Sequence, residues 1–200
     1  FLAVFLWPEG PRRVLTYFGT AALVYGLAVL PVVSSEAFRS MVYGSEKQGR
    51  VFELAVHVGQ LSFYACPAAL LLLLLRFAAY TKRNADLTML YLAIAFSVFV
   101  VLVPPMPGWY LWAFPFVVYA CAKGQDIPAL TLPAFSLFYM GYFLLAPGSD
   151  LFDAFAIVAP SVAAYGEPSR LLDRPGPLVD LAFTLMETSF LVVIFATYRW

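Results

Sequence analysis

Apolar residues run along this chain in long blocks rather than in stripes. Six blocks stand out, at residues 14–33, 54–75, 87–103, 109–122, 129–146 and 179–198. A membrane-spanning α-helix needs about 20 mostly apolar residues, with about 17 near the lower limit. By that measure the third block is marginal and the fourth is short. None carries the polar face of a soluble amphipathic helix, so helices built from them face lipid or one another. The pattern predicts an all-α fold, a polytopic transmembrane helix bundle of about six spans that forms a single transmembrane domain over residues 1–200.

Prolines punctuate the pattern. Pro8, Pro11, Pro104, Pro105, Pro107, Pro147, Pro175 and Pro177 fall between blocks, where helices should start or stop. Pro67, Pro115 and Pro133 fall inside blocks, and kinks are expected there. Residues 1–7 are all apolar and end at Pro8, Glu9, Gly10, Pro11, Arg12 and Arg13. A basic cluster that follows an apolar stretch is the reverse of a secretory signal. The stretch reads as the tail of a helix that begins upstream, and the chain as a piece of a longer protein.

Composition agrees with lipid as the solvent. Hydrophobic residues make up 62% and charged residues 12%, with a mean hydropathy of +0.83; soluble domains carry about 25% charged residues. Net charge is zero, which leaves no basic excess for nucleic acid. Cys66 and Cys121 lie in apolar blocks without metal-ligand spacing and read as small core residues. Phosphate-loop, dinucleotide and zinc motifs are missing, so neither a metal nor a cofactor is expected.

Charge orients the bundle. With the Arg12–Arg13 loop on the cytoplasmic side, alternation of six spans places Arg76, Lys82, Arg83, Lys123 and Arg199 there too. Arg39, Lys47, Arg50, Arg170 and Arg174 fall outside, together with eight acidic residues from Glu36 to Asp180. The surplus of basic residues inside follows the positive-inside rule. Both ends are thus expected in the cytoplasm. Two outer loops are long, 34–53 and 147–178, and each has the apolar residues to form an interfacial segment.

Candidate chemistry concentrates at three places. Pro104, Pro105, Met106, Pro107 and Gly108 force a rigid outer turn before Trp109, Tyr110 and Trp112. These rings form either an aromatic belt at the membrane–water boundary or a lip beside a lipid or sugar site. Glu187, flanked by Thr184, Thr188 and Ser189, falls near the middle of the last block. Such a carboxyl is costly in a membrane. It is balanced by a proton, by a cation, or by a hydrogen bond from a neighbouring helix. His57 is expected near the outer end of the second span, with Glu53 and Gln60 on the same helical face. Lys47 and Arg50 are either solvated surface charges or the cations of a lipid pyrophosphate site.

The turn Pro104-Pro105-Met106-Pro107-Gly108-Trp109-Tyr110-Leu111-Trp112, closed by Pro115-Phe116, resembles the later half of GT-C type membrane glycosyltransferases of bacterial surface-polysaccharide systems. The resemblance is loose over residues 1–125 and clearest over 100–116. It implies a bacterial inner-membrane protein that takes a polyprenyl-phosphate-linked sugar. Substrate contacts would come from Lys47, Arg50, His57, Trp109, Tyr110 and Trp112. The catalytic carboxylate of such enzymes lies in the first outer loop, which would precede Phe1, so no residue here inherits that role. The other readings are a transporter or channel-like subunit that uses Glu187 and His57, and a structural subunit packed against other membrane subunits.

Overall fold

In a computed structural model of the chain, most of the described prolines lie where helices begin. The structure describes residues 1–42, 44, 46–103, 106–123, 130–146, 159, 161 and 176–198. Most of the loop expected at 147–178, Pro104 and Pro105 of the expected turn, and the side chain of Lys47 lie outside the described residues. Two compact units emerge, Phe1–Tyr91 and Leu92–Trp200.

The first unit opens with α1 (Leu2–Leu6) and a 3-10 turn at Trp7–Glu9. Gly10, at φ 102°, then swings the backbone into α2 (Pro11–Val29). That positive φ favours glycine, and Pro11 suits the first helical position because no intrahelical acceptor awaits its missing N–H. The block at 14–33 was expected to be helical throughout. Instead α2 ends at Val29 and residues 30–34 form a turn, because Pro31 cannot donate the next backbone bond. The segment 34–53 supplies α3 (Glu36–Val42), with the Phe38 amide donating to Ser35 Oγ at 3.4 Å, and a 3-10 segment at Glu46–Phe52.

The block at 54–75 departs most from expectation. Its first part forms an antiparallel hairpin, β1 (Ala55–Val58) and β2 (Leu61–Tyr64), and only then comes α4 (Ala65–Ala78). The fold is therefore helical but not purely so. Val56 and Val58 are β-branched and suit a strand. Gly59, at φ 63°, takes the first position of the two-residue turn with Gln60, as a type II′ hairpin requires.

Helix starts also revise the expected kinks. Pro67 is the third residue of α4, and Pro133 the third of α7 (Thr131–Leu145). In the first turn a missing N–H breaks no helical bond. Pro115 alone of the three lies inside a helix, α6 (Pro107–Lys123). Asn84 caps α5 (Ala85–Leu102): its Oδ1 accepts from the Leu87 amide at 2.7 Å.

Aromatic packing joins the segments of the first unit. Phe77 is fully buried, and its ring centre lies 5.5 Å from that of Phe1 and 5.2 Å from that of Tyr91. Arg83 Nη1 donates to the Val4 carbonyl at 2.9 Å, tying the α4–α5 connection to α1. In the second unit α7 runs along α8 (Gly176–Tyr198), and α6 contacts both.

Among the described residues, α5 with 18 residues and α8 with 23 are long and apolar enough to cross a membrane. At 1.5 Å per residue they reach about 27 and 35 Å, against a hydrocarbon core of about 30 Å. α4 and α7 are apolar but shorter, with 14 and 15 residues. Of the about six spans expected, two thus have the length and apolar composition of a full crossing. Helix α2 brings Arg12 and Arg13 into its first turn, α4 loses its beginning to the hairpin, and α6 and α7 stop short. Exposed Leu15, Leu23 and Leu27 on α2, and Leu191 and Phe195 on α8, accord with a membrane protein whose apolar faces meet lipid.

Phe77→Ala is expected to lower stability by about 3–5 kcal/mol through the cavity it leaves. Leu72→Ala, on the exposed side of α4, should change it by less than about 0.5 kcal/mol. Denaturant unfolding of the purified protein in detergent checks both.

Candidate functional site

Glu187 is the twelfth residue of the 23 in α8, so its Cα lies about 17 Å from the start of that helix. It faces inward and is only 8% exposed. Near the start of α6, Tyr110 is 1% exposed, and its hydroxyl donates to Glu187 Oε1 at 2.6 Å. A hydrogen bond to an acidic oxygen is short and strong in surroundings of low polarity. Of the ways to balance this carboxyl, the structure contains the hydrogen bond from another helix.

Rings enclose the pair. Around Tyr110 stand Phe135, Tyr139 and Phe143 of α7 and Phe190 of α8, with ring centres 5.6–6.3 Å away. Phe135 and Phe190 meet edge to face at 4.8 Å. Glu187 Oε2 is buried and has no hydrogen-bond partner among the described residues. The hydroxyls expected beside the carboxyl turn away from it. Thr184 donates to the Asp180 carbonyl, Thr188 to that of Thr184 and Ser189 to that of Leu185, at 2.7–3.0 Å. Each satisfies itself on the preceding turn of its own helix, the local alternative open to Ser and Thr.

Beside the pair a cavity of about 230 Å³ lies between α6 and α7. Tyr110, Leu111, Phe114, Phe135, Ser136, Tyr139 and Met140 line it. The hydroxyl of Ser136 is already given to the Leu132 carbonyl at 3.0 Å. The wall is therefore aromatic and aliphatic, suited to a hydrocarbon chain rather than to a charged group.

The aromatic belt or lip expected after the proline turn divides into three. Trp112 is exposed, Trp109 lies 5.2 Å from Phe99 of α5, and Tyr110 is buried with Glu187. Helical geometry is the cause: successive residues lie about 100° apart, so neighbours in sequence leave on different faces. Tyr110 is thus a core side chain and not a boundary one.

The other candidate residues belong to the first unit. Arg50 Nε lies 4.0 Å from Glu53 Oε1, an open surface pair of little energetic weight. His57 is on β1, not on a helix, so the expected face with Glu53 and Gln60 does not form. Its partner is Ser62 across the hairpin, with Oγ to Nδ1 at 3.2 Å. Nothing in the sequence pointed to that pair except the turn at Gly59. The Tyr110–Glu187 pair joins residues 77 positions apart, and no local pattern announces it.

Tyr110→Phe removes the donor and leaves a buried acceptor unmet, at an expected cost of about 1–3 kcal/mol. Glu187→Gln keeps an acceptor and should cost less. Tyr110→Phe combined with Glu187→Leu should cost less than the sum of the single changes, because the two side chains share one bond. Unfolding in detergent measures each value, and strict additivity would show that the bond does not couple the helices. Comparisons with protein-family models, with curated proteins and with solved structures found no match to this chain.

Proposed function

We propose that this chain is the membrane portion of a lipid-linked sugar transferase, or of a related protein in bacterial surface-polysaccharide assembly, and that the α6–α7 cavity seats the carrier's isoprenoid chain. The observation that carries this is the cavity lining: Leu111, Phe114, Phe135, Tyr139 and Met140 besides Tyr110, with the hydroxyl of Ser136 already bonded. A branched polyene finds apolar rings there and meets no charged group. At about 230 Å³ the space is smaller than the roughly 300–1,000 Å³ of whole-ligand sites, so it takes a segment of a chain. The proline–aromatic turn leading into α6 supports the same class.

In this reading α2, α4, α6 and α7 are short membrane-embedded helices that complete about six spans with α5 and α8. Both ends lie on the cytoplasmic side of the inner membrane. Arg50 and Lys47 are the cations that this reading offers for the carrier's phosphate.

A second reading has one specific observation in its favour. Glu187 Oε2, without a partner among the described residues, fits a proton-carrying residue in a transporter or channel-like subunit. His57, bonded to Ser62 on an exposed hairpin, adds nothing to that reading.

Photo-crosslinking of a polyprenyl phosphate analogue to the reconstituted protein separates the two. Ser136→Trp fills the cavity from its exposed side and should weaken labelling by roughly tenfold, equivalent to about 1.4 kcal/mol. Labelling indifferent to Ser136→Trp would remove the cavity as the carrier's seat. Proton-driven uptake abolished by Glu187→Gln would favour the second reading.

A further inference from the structure

The hairpin sorts its side chains by chemistry. In an antiparallel pair, directly opposed residues share a face, and so do residues two apart on one strand. Val56 opposes Phe63, and Val58 opposes Leu61. These four side chains make one wholly apolar face. The other face carries Ala55, Tyr64 and the hydrogen-bonded pair His57 and Ser62. The apolar face is open: Val56 and Phe63 are 55% exposed, Val58 68% and Leu61 76%. An isolated two-stranded hairpin is marginal in water, and this one turns its apolar side outward.

Two bounds fix the depth at which such an element is stable. Tyr64 runs straight into α4, an apolar helix with Leu71, Leu72 and Leu75 exposed. Fourteen residues cover about 21 Å, less than the hydrocarbon thickness of about 30 Å. An α4 embedded in lipid therefore holds the hairpin no farther out than the leaflet boundary. The opposite limit comes from the backbone. A two-stranded hairpin has two open edges, and unpaired N–H and C=O groups are not tolerated in hydrocarbon. The hairpin consequently goes no deeper than the zone where headgroups and water reach its edges.

We propose that β1–β2 is an interfacial membrane element: it lays Val56, Val58, Leu61 and Phe63 on the acyl–glycerol boundary of the leaflet where α4 begins, and holds His57 and Ser62 in headgroup water. The inference rests on the membrane reading of α4 and is independent of the carrier proposed above. It gives the hairpin the task that interfacial amphipathic helices perform, anchoring by one buried apolar face.

Spin labels at Leu61→Cys and Ser62→Cys test it, each in a full-length Cys66→Ala, Cys121→Ala background reconstituted into phosphatidylcholine–phosphatidylglycerol vesicles. A third label at Leu191→Cys, on the exposed side of α8, reports on the membrane reading itself. Leu61 and Ser62 are both exposed, so labels there leave the core alone, and matching circular dichroism confirms the fold. Oxygen concentrates in hydrocarbon, whereas a neutral chelated nickel complex stays in water. The expected result is a label at 61 that collides several-fold more with oxygen than with nickel, and a label at 62 with the reverse preference. Equal access of nickel to 61 and 62, with 191 still favouring oxygen, overturns the hairpin's placement alone. Nickel access at all three positions overturns the membrane reading as well. A label at 61 closed to both reagents overturns the proposal in favour of a protein surface over the hairpin.

Discussion

A carboxyl group set among aromatic rings must find a donor, and in the second unit that donor is Tyr110. The 2.6 Å bond to Glu187 joins α6 to α8, while α7 packs along α8 and contributes Phe135, Tyr139 and Phe143 to the surrounding wall. Where few polar side chains are inward, one such bond specifies which faces of the helices meet. Rotating α6 by a single residue, about 100°, would turn Tyr110 out of reach and present Trp109 or Leu111 to the carboxyl. Ring packing alone is more permissive, since edge-to-face and offset contacts tolerate a range of angles.

The same scarcity of polar partners explains the helix hydroxyls. Thr16, Ser136, Thr184, Thr188 and Ser189 each donate to a carbonyl four residues earlier on their own helix. They are satisfied without recruiting water or a neighbour, so they place no demand on packing. Glu187 cannot do this, and it recruits a neighbour instead. The cavity shares Tyr110 and Phe135 with that pair. The bond that orients α6 therefore also shapes one wall of the proposed chain site, and the two properties are coupled through one side chain.

In the first unit the governing feature is how an apolar block divides. Residues 54–75 contain enough apolar side chains for a helix across a bilayer, yet the hairpin takes residues 55–64. The strands form where Val56 and Val58 alternate with polar or small neighbours and Gly59 permits the reversal. The helix begins where Pro67 can occupy a first turn and a run of leucines follows. Hydropathy sums the two parts and so hides the boundary between them, whereas alternation over only four residues is a weak signal beside an apolar total.

What the sequence alone determined is what depends on near neighbours. Apolar blocks at 87–103 and 179–198 appear as α5 and α8, within a few residues at each end, because continuous apolar chain with a capping Asn84 or an early Pro177 leaves helix as the one way to satisfy its backbone. Prolines at 11, 107 and 177 mark helix starts for the same local reason. Only the tertiary structure decided the rest. It buried Tyr110 while leaving Trp112 exposed, gave Glu187 a hydroxyl partner rather than a cation, paired His57 with Ser62 and opened the space between α6 and α7. Each of these depends on which faces meet across helices or strands, and side-chain identity along the chain carries no record of that rotation.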